Sequence, residues 1–213
     1  MKQLLLLFVV FWSCSASLIL GQSNSSPYLF DNFQEGTVYY KDGSKFQVSL
    51  NYNILLKCFM FLDENDDIVQ FARPEMVAKV DIGLRSFIID RGITQELVQP
   101  DPPVYVSYTG LVKSGKKTAY GGSSETSGID SYAGFAQDGD LAKMNLPEGN
   151  VSSIKKQYYI MQEGKKRQFS TQKSFLKIYP EQKQDLLNYI KENKVDFNSI
   201  NQVVQLYNYA EGL

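Results

Sequence analysis

The chain has 213 residues and a formal net charge of −1, with 43% hydrophobic and 21% charged residues, a composition typical of a globular protein. It contains no histidine, which excludes Ser-His-Asp and Cys-His nucleophile systems, imidazole base catalysis, histidine-ligated zinc and a haem held by a proximal histidine. The near-zero charge and the absence of a nucleic-acid motif indicate that nucleic acid is not a partner.

The first 21 residues have the pattern of a secretory signal peptide. Lys2 gives a positive start, a long apolar run follows, and Gly21 precedes a polar stretch. We expect cleavage after Gly21, with Ala16 as the alternative site. A membrane anchor is disfavoured by polar residues within the run and by the missing basic flank. Lipidation of Cys14 is the minority interpretation, because bulky residues precede that cysteine.

Cleavage at this position leaves residues 22–213 as the mature chain. Cys58 is then its only cysteine, so no internal disulfide can form. Stability must come from a hydrophobic core, and the remaining length is enough for a single α+β domain. No later stretch approaches the ~20 apolar residues that a transmembrane helix needs. The mature chain is therefore predicted to have no transmembrane segment.

Residues 37–113 are predicted to form a β-meander. Asp42-Gly43 lies between two alternating apolar runs, which is a strong hairpin signal. Leu56–Leu62 is apolar on both alternating faces and is predicted to be a central strand covered on both sides. A further pair of strands joins at Gly83, and the last strand ends near Val112. About eight short strands at this spacing predict a sandwich or an open barrel.

Residues 114–150 differ from their surroundings and are predicted to form a glycine-rich loop. They hold seven of the 15 glycines and show little apolar periodicity. Irregular connections of this length are uncommon in compact domains unless they carry a function or are disordered. Aromatic side chains on loops can bind sugars, peptides or lipids. Tyr120, Tyr132 and Phe135 are therefore the predicted ligand-binding residues.

The C-terminal part is predicted to be a β-hairpin over 155–169 followed by helices over 171–213. The hairpin turns at Glu163-Gly164, and Thr171 is the expected cap of the first, short helix. Two further helices carry apolar stripes at helical spacing. Short amphipathic helices need a surface to cover, so we expect this tail to dock on the sheet or its open end. The fold class is α+β, with the sheet first and the helices last.

Three further features have a plain structural interpretation and a functional alternative. The acidic stretch 63–67 lacks the glycine and the distal glutamate of a calcium loop, so an acidic turn is favoured and no metal site is predicted. The basic stretch 155–177 suits an edge strand protected by lysines, with an anionic partner as the alternative. Cys58 lacks a histidine base and is interpreted as a small buried hydrophobe.

The order of features resembles a family of uncharacterised small secreted proteins of Bacteroidota-type bacteria. The resemblance rests on the combination of these short motifs: Leu20-Gly21-Gln22, the Gly36–Gly43 segment, Leu50–Asn53, Val80–Gly83 with Phe87, Tyr120–Gly122 and Lys173–Leu176. It covers nearly the whole mature chain. It implies an exported protein of a Gram-negative host, periplasmic or associated with the cell surface or outer membrane. It carries no catalytic residues.

The leading functional expectation is a non-enzymatic binding or scaffolding module without a cofactor. Its partner would be an envelope protein, a glycan or a lipid. One alternative is a hydrolase that acts on glycans with paired carboxylates, although the sequence selects no pair. Another is a carrier of a lipid or small apolar ligand, which requires a continuous apolar cavity under the strands.

Overall fold

The computed structural model describes residues 26–112 and 151–213, which form an antiparallel sheet followed by short helices, as the sequence predicts. The strands are β1 Gln34–Tyr40, β2 Lys45–Asn53, β3 Cys58–Leu62, β4 Ile68–Gln70, β5 Val77–Ile82, β6 Arg85–Asp90, β7 Ile93–Pro100, β8 Pro103–Val112, β9 Val151–Gln162 and β10 Lys165–Phe169. The helices are α1 Gln172–Leu176, α2 Lys183–Glu192 and α3 Ile200–Glu211, and a 3-10 turn covers Pro74–Met76.

The strand order is β10-β9-β8-β7-β6-β5-β1-β2-β3-β4. Each of the two runs, β1 to β4 and β5 to β10, is a simple meander of sequential neighbours. The runs join through β1, which pairs with β2 on one side and with β5 on the other. The segment that contains the 3-10 turn therefore leads from the edge strand β4 to β5, which lies beside β1.

Strand β3 differs from its prediction in extent and in position. It begins at Cys58, because Ile54–Lys57 form a turn in which the Asn53 side-chain oxygen accepts the amides of Leu55 and Leu56 at 3.0 and 2.9 Å. It lies next to the edge strand β4 and is not central. Apolar residues on both of its faces therefore did not indicate a central position in the sheet.

One face of the sheet carries the core. A single row of cross-strand neighbours runs through the ordered partners Phe46, Val38, Val80, Phe87, Glu96, Val106, Tyr158 and Phe169. All of them are buried except Phe46, which is half-buried. Glu96 is the one charged member of this otherwise apolar row. We call this the inner face.

The sheet curls, so that its inner face encloses the core. The Gly110 amide on β8 donates to the Ile54 carbonyl just beyond β2 at 2.9 Å, although several strands separate β8 from β2 in the sheet order. A Cβ atom at position 110 would lie 2.8 Å from a Leu55 methyl carbon, so a larger residue there would push the Leu55 side chain aside. Tyr52 and Phe59 pack on Phe87 across the enclosed space, with ring centroids 6.4 and 5.4 Å away.

The helices cover the inner face at the β9–β10 side. Phe169 at the end of β10 packs on Tyr158 and on Phe175 of α1, with centroid distances of 5.4 and 4.8 Å. The predicted cap at Thr171 is confirmed, because Thr171 and Ser174 bond each other's backbone amides in a capping box. Buried residues of α3 are Val203, Leu206, Tyr207 and Ala210. Across the described ranges, no helix combines the length and the hydropathy needed to span a bilayer.

The hairpin predicted around Glu163-Gly164 is present as β9 and β10. Strand β10 is an edge strand, and Lys165, Lys166 and Arg167 on it are exposed. Lysines on an edge oppose pairing with strands of other chains, which agrees with the structural interpretation of the basic stretch. The segment Asp63–Asp67 forms a turn in which the Asp63 carboxylate accepts two backbone amides.

Candidate functional site: a cavity at the end of the curled sheet

A cavity of about 350 Å³ opens at one end of the curled sheet. Its walls come from the start of β3, the end of β4, the 3-10 turn and the hairpin that joins β6 to β7. These elements meet there because β3 and β4 lie at one end of the sheet order and the curl brings them back toward β7. The cavity is thus a product of the sheet's curvature.

The floor of the cavity is apolar. Buried side chains on it are Leu56, Phe59, Phe71 and Val77, and Ile89 and Cys58 are half-buried. Phe59 and Phe71 are fixed by other rings, since Phe59 lies 5.1 Å from Tyr52 and Phe71 stacks on Phe61 at 4.9 Å. The only buried polar residue on the lining is Thr94. A molecule in this cavity would contact hydrocarbon on most sides.

The mouth of the cavity is charged. Its exposed charged residues are Lys41, Lys57, Arg91 and Glu75. Lys57 and Arg91 adopt left-handed backbone conformations, with φ of 59° and 51°, and each lies in a tight turn. The two residues thus reach the cavity from two different turns, one before β3 and one between β6 and β7.

Cys58 lies on the cavity wall without the properties of a nucleophile. Burial raises the pKa of its thiol to about 12, so the thiolate is scarce at neutral pH. Its sulfur lies 3.8 Å from the Met60 sulfur. The interpretation of Cys58 as a small hydrophobe in a strand agrees with this environment.

Glu96, Arg85 and Tyr108 form a polar cluster on the inner face that the sequence did not reveal. Arg85 donates to the two Glu96 carboxylate oxygens at 2.7 and 2.6 Å, and Tyr108 donates its hydroxyl to Glu96. Arg85 also donates to the Tyr108 hydroxyl at 3.2 Å. The cross-strand partners of Glu96 are Phe87 on β6 and Val106 on β8. Arg85 comes shortly before Phe87 and Tyr108 shortly after Val106, on the same face, so both side chains reach Glu96 diagonally.

The cluster is electrostatically self-contained. The Arg85 guanidinium lies over the Phe30 ring at 4.6 Å and beside Phe87 at 5.3 Å. Burial opposes its charge, yet the bonds to Glu96 outweigh burial and raise the pKa of Arg85 above its ordinary value. Burial and the nearby carboxylate both raise the pKa of Tyr108. These groups hold β6, β7 and β8 together.

A carboxylate pair of the glycosidase type would need two carboxyls roughly 5–10 Å apart in a cleft. Glu96 is the only buried carboxylate among the residues that the structure describes, and both of its oxygens are bonded. Within the same residues, no group of three or more acidic, cysteine or histidine side chains could hold a metal ion.

A second, broader depression surrounds α1 and has a volume of about 830 Å³. It is shallow, and its charged residues are Lys173, Lys177 and Lys183. Its apolar residues are Leu176 and Pro180, and it is more open to solvent than the cavity at the end of the sheet. We therefore regard it as a basic surface and not as a binding cavity.

The predicted ligand-binding residues Tyr120, Tyr132 and Phe135 lie outside the described residues, as do the whole segment 114–150 and the predicted signal peptide. The residues that line the cavity were missed, because they are scattered between positions 41 and 94. The only signal that pointed toward them was the apolar alternation of the strands, which marks a face but not an enclosed space.

Comparison with known proteins finds no matching family model, no similar curated protein and no similar solved structure. The functional argument therefore depends on the geometry of the cavity and of the residues around it.

Proposed function

We propose that this protein is a non-enzymatic binding protein that holds a small apolar molecule in the cavity at the end of its curled sheet. One observation carries the proposal: a space of about 350 Å³ whose floor is formed by Leu56, Phe59, Phe71 and Val77. Small-molecule sites commonly have volumes of ~300–1,000 Å³ and mostly apolar linings. The cavity is at the lower end of that range, which suits one compact molecule or a single short chain.

The energetic basis is the removal of hydrocarbon from water. Each ligand methylene that enters the cavity contributes about 0.8 kcal/mol, against which the ligand loses its translational and rotational freedom. The ring contacts of Phe59 and Phe71 hold the walls in place before binding. A preformed wall lowers the ordering cost of association.

The proposal includes an exported location at the cell envelope. Support comes from the signal-peptide pattern over the first 21 residues and from the resemblance to secreted proteins of Bacteroidota-type bacteria. Envelope lipids and their breakdown products are then available ligands. The aromatic residues of the glycine-rich segment remain a separate prediction, which replacement of Tyr120 and Tyr132 by alanine would test through retention on envelope material.

The test uses a neutral probe whose fluorescence rises in apolar surroundings, N-phenyl-1-naphthylamine. Ile89 lines the cavity, whereas its neighbour Ile88 points to the opposite face of β6 and is also half-buried. We expect saturable probe binding by the unaltered chain and at least a tenfold loss in Ile89→Trp, because indole fills the space. Ile88→Trp is the matched control and should bind normally.

Thermal unfolding followed by circular dichroism shows whether both variants fold. If Ile89→Trp does not fold, Val77→Leu provides a smaller filling of the same cavity, and we expect an intermediate loss of binding. Absence of saturable binding by the unaltered chain, or an equal loss in both tryptophan variants, contradicts the proposal.

A further inference from the structure

The charge at the cavity mouth is opposite to that of the whole chain. Three cations and one carboxylate are exposed there, namely Lys41, Lys57, Arg91 and Glu75, while the chain as a whole carries a net charge of −1. Cationic groups around a low-dielectric opening attract anions and raise their local concentration. The mouth is therefore chemically distinct from the floor below it.

These cations are not engaged in ion pairs inside the described ranges. The pairs present there are Lys79–Asp81, Arg85–Glu96 and Lys166–Asp90. Asp90 is the acidic neighbour of Arg91 in sequence, yet it is bonded to Lys166 at 2.7 Å. The bond from Lys166 lowers the pKa of Asp90 most, and the nearby charge of Arg91 lowers it further, so Asp90 offsets part of the Arg91 charge without forming an ion pair with it.

Two of the three cations come from separate tight turns. Lys57 lies in the turn before β3, and Arg91 lies in the turn between β6 and β7. Both have positive φ, as do Asp66, Glu163 and Lys194 in other turns, so the backbone conformation itself is not particular to the cavity. The long side chains at these two positions bring positive charge to the opening from different parts of the chain.

We infer that the ligand is an amphiphile with one apolar chain and an anionic head group. The chain occupies the apolar floor, and the head group lies at the mouth between Lys41, Lys57 and Arg91. This inference rests on the proposed function and adds the chemical class of the ligand. A neutral molecule with the same chain has no charged partner at the mouth, and a cationic one meets three cations and only one carboxylate, Glu75.

The contribution of the head group is moderate, because the cations are exposed to water. Exposed ion pairs are individually weak and are screened by salt, so three together should favour an anionic head roughly tenfold over a neutral one. The preference should shrink as the salt concentration rises. Charge-assisted hydrogen bonds to a carboxylate would also fix the orientation of the chain.

The experiment measures displacement of bound N-phenyl-1-naphthylamine by decanoate, decanol and decylammonium at pH 8. We expect decanoate to displace the probe at roughly tenfold lower concentration than decanol, and decylammonium to be the weakest. A triple variant, Lys41→Gln with Lys57→Gln and Arg91→Gln, should bind decanoate and decanol equally.

The matched control replaces Lys173, Lys177 and Lys183 by glutamine, which removes the same charge from the distant surface around α1. It should retain the preference for decanoate. If the mouth variant does not fold, the single variants Lys41→Gln and Arg91→Gln should each lower the preference in part.

Equal displacement by decanoate and decanol in the unaltered chain overturns this inference and leaves the proposed function intact. An equal loss of preference in both triple variants also overturns it, since the effect would then reflect overall charge. If no decyl compound displaces the probe, both the inference and the apolar-ligand proposal fail.

Discussion

Removal of Arg85 should leave a charge stranded in the core. The Glu96 side chain is only 9% exposed and forms its two short ion-pair bonds with Arg85. Breaking a buried pair by removing one partner costs about 3–5 kcal/mol. The Arg85 side chain is itself 32% exposed, so water can enter the vacated space. We therefore expect Arg85→Leu to lower the free energy of unfolding by about 2–3 kcal/mol.

A double-mutant cycle separates the pair from its surroundings. Glu96→Leu alone leaves Arg85 unpaired but near water, and the double variant removes both charges from an otherwise apolar row. Replacement of a whole buried pair by apolar residues is often nearly neutral. We expect the double variant to be more stable than Arg85→Leu, with a coupling free energy of about 2 kcal/mol between the two sites.

The assay is urea unfolding at pH 7 followed by far-ultraviolet circular dichroism, with linear extrapolation to water. The matched control is the partly exposed pair Lys79–Asp81, whose side chains are 43% and 28% exposed. Exposed pairs contribute about 0.2–1 kcal/mol. If the Arg85–Glu96 coupling is no larger than the control coupling, the reasoning that the buried carboxylate depends on Arg85 is wrong.

Three further predictions concern other positions. Gly36→Ala should cost about 1–3 kcal/mol in urea unfolding, because a Cβ there would lie 2.6 Å from the Asp81 carbonyl oxygen; an unchanged midpoint would contradict this. Burial opposes ionisation of Asp81, but hydrogen bonds from Lys79 and Ser86 outweigh burial and lower the pKa of Asp81 below 3.8. The stabilisation that the ionised Asp81 provides should therefore disappear as the pH falls through the pKa of the folded state. Asp81→Asn should reduce the slope of stability against pH below about 4, and an unchanged slope would exclude this contribution. At pH 8, iodoacetamide should modify the peptide carrying Cys58 about a thousandfold more slowly in the folded chain than in urea, since burial raises its pKa to about 12; equal rates by mass spectrometry would refute the burial argument.

Features that depend on near neighbours in the chain were predictable. The Asp42-Gly43 hairpin is present, with Gly43 at a φ of 87° and the Asp42 carboxylate bonded to Ser44. Thr171 caps α1 through a residue three positions away. In both cases the decisive hydrogen bonds span a few residues, so composition and spacing carry enough information.

The prediction that β3 is a central strand was wrong, because the position of a strand in the sheet depends on residues far away in the chain. An apolar strand next to a sheet edge can be buried by a distant segment that the curl of the sheet brings against it. The periodicity of the strand's own residues does not indicate which segment that is. The pairing of β1 with β5 likewise depends on a return of the chain past β3 and β4. Pairing between distant strands depends on the whole arrangement of the sheet.

Composition and local pattern thus determine the class of this protein: a histidine-free chain of sequential hairpins followed by short amphipathic helices. The cavity and its charged mouth arise only when the sheet curls, and the Arg85–Glu96–Tyr108 cluster arises only when β6, β7 and β8 pair in this register. Their members come from separate strands and turns, and each is ordinary in its own sequence context. Enclosure and ion pairing are relations between segments, which only folding brings within contact distance.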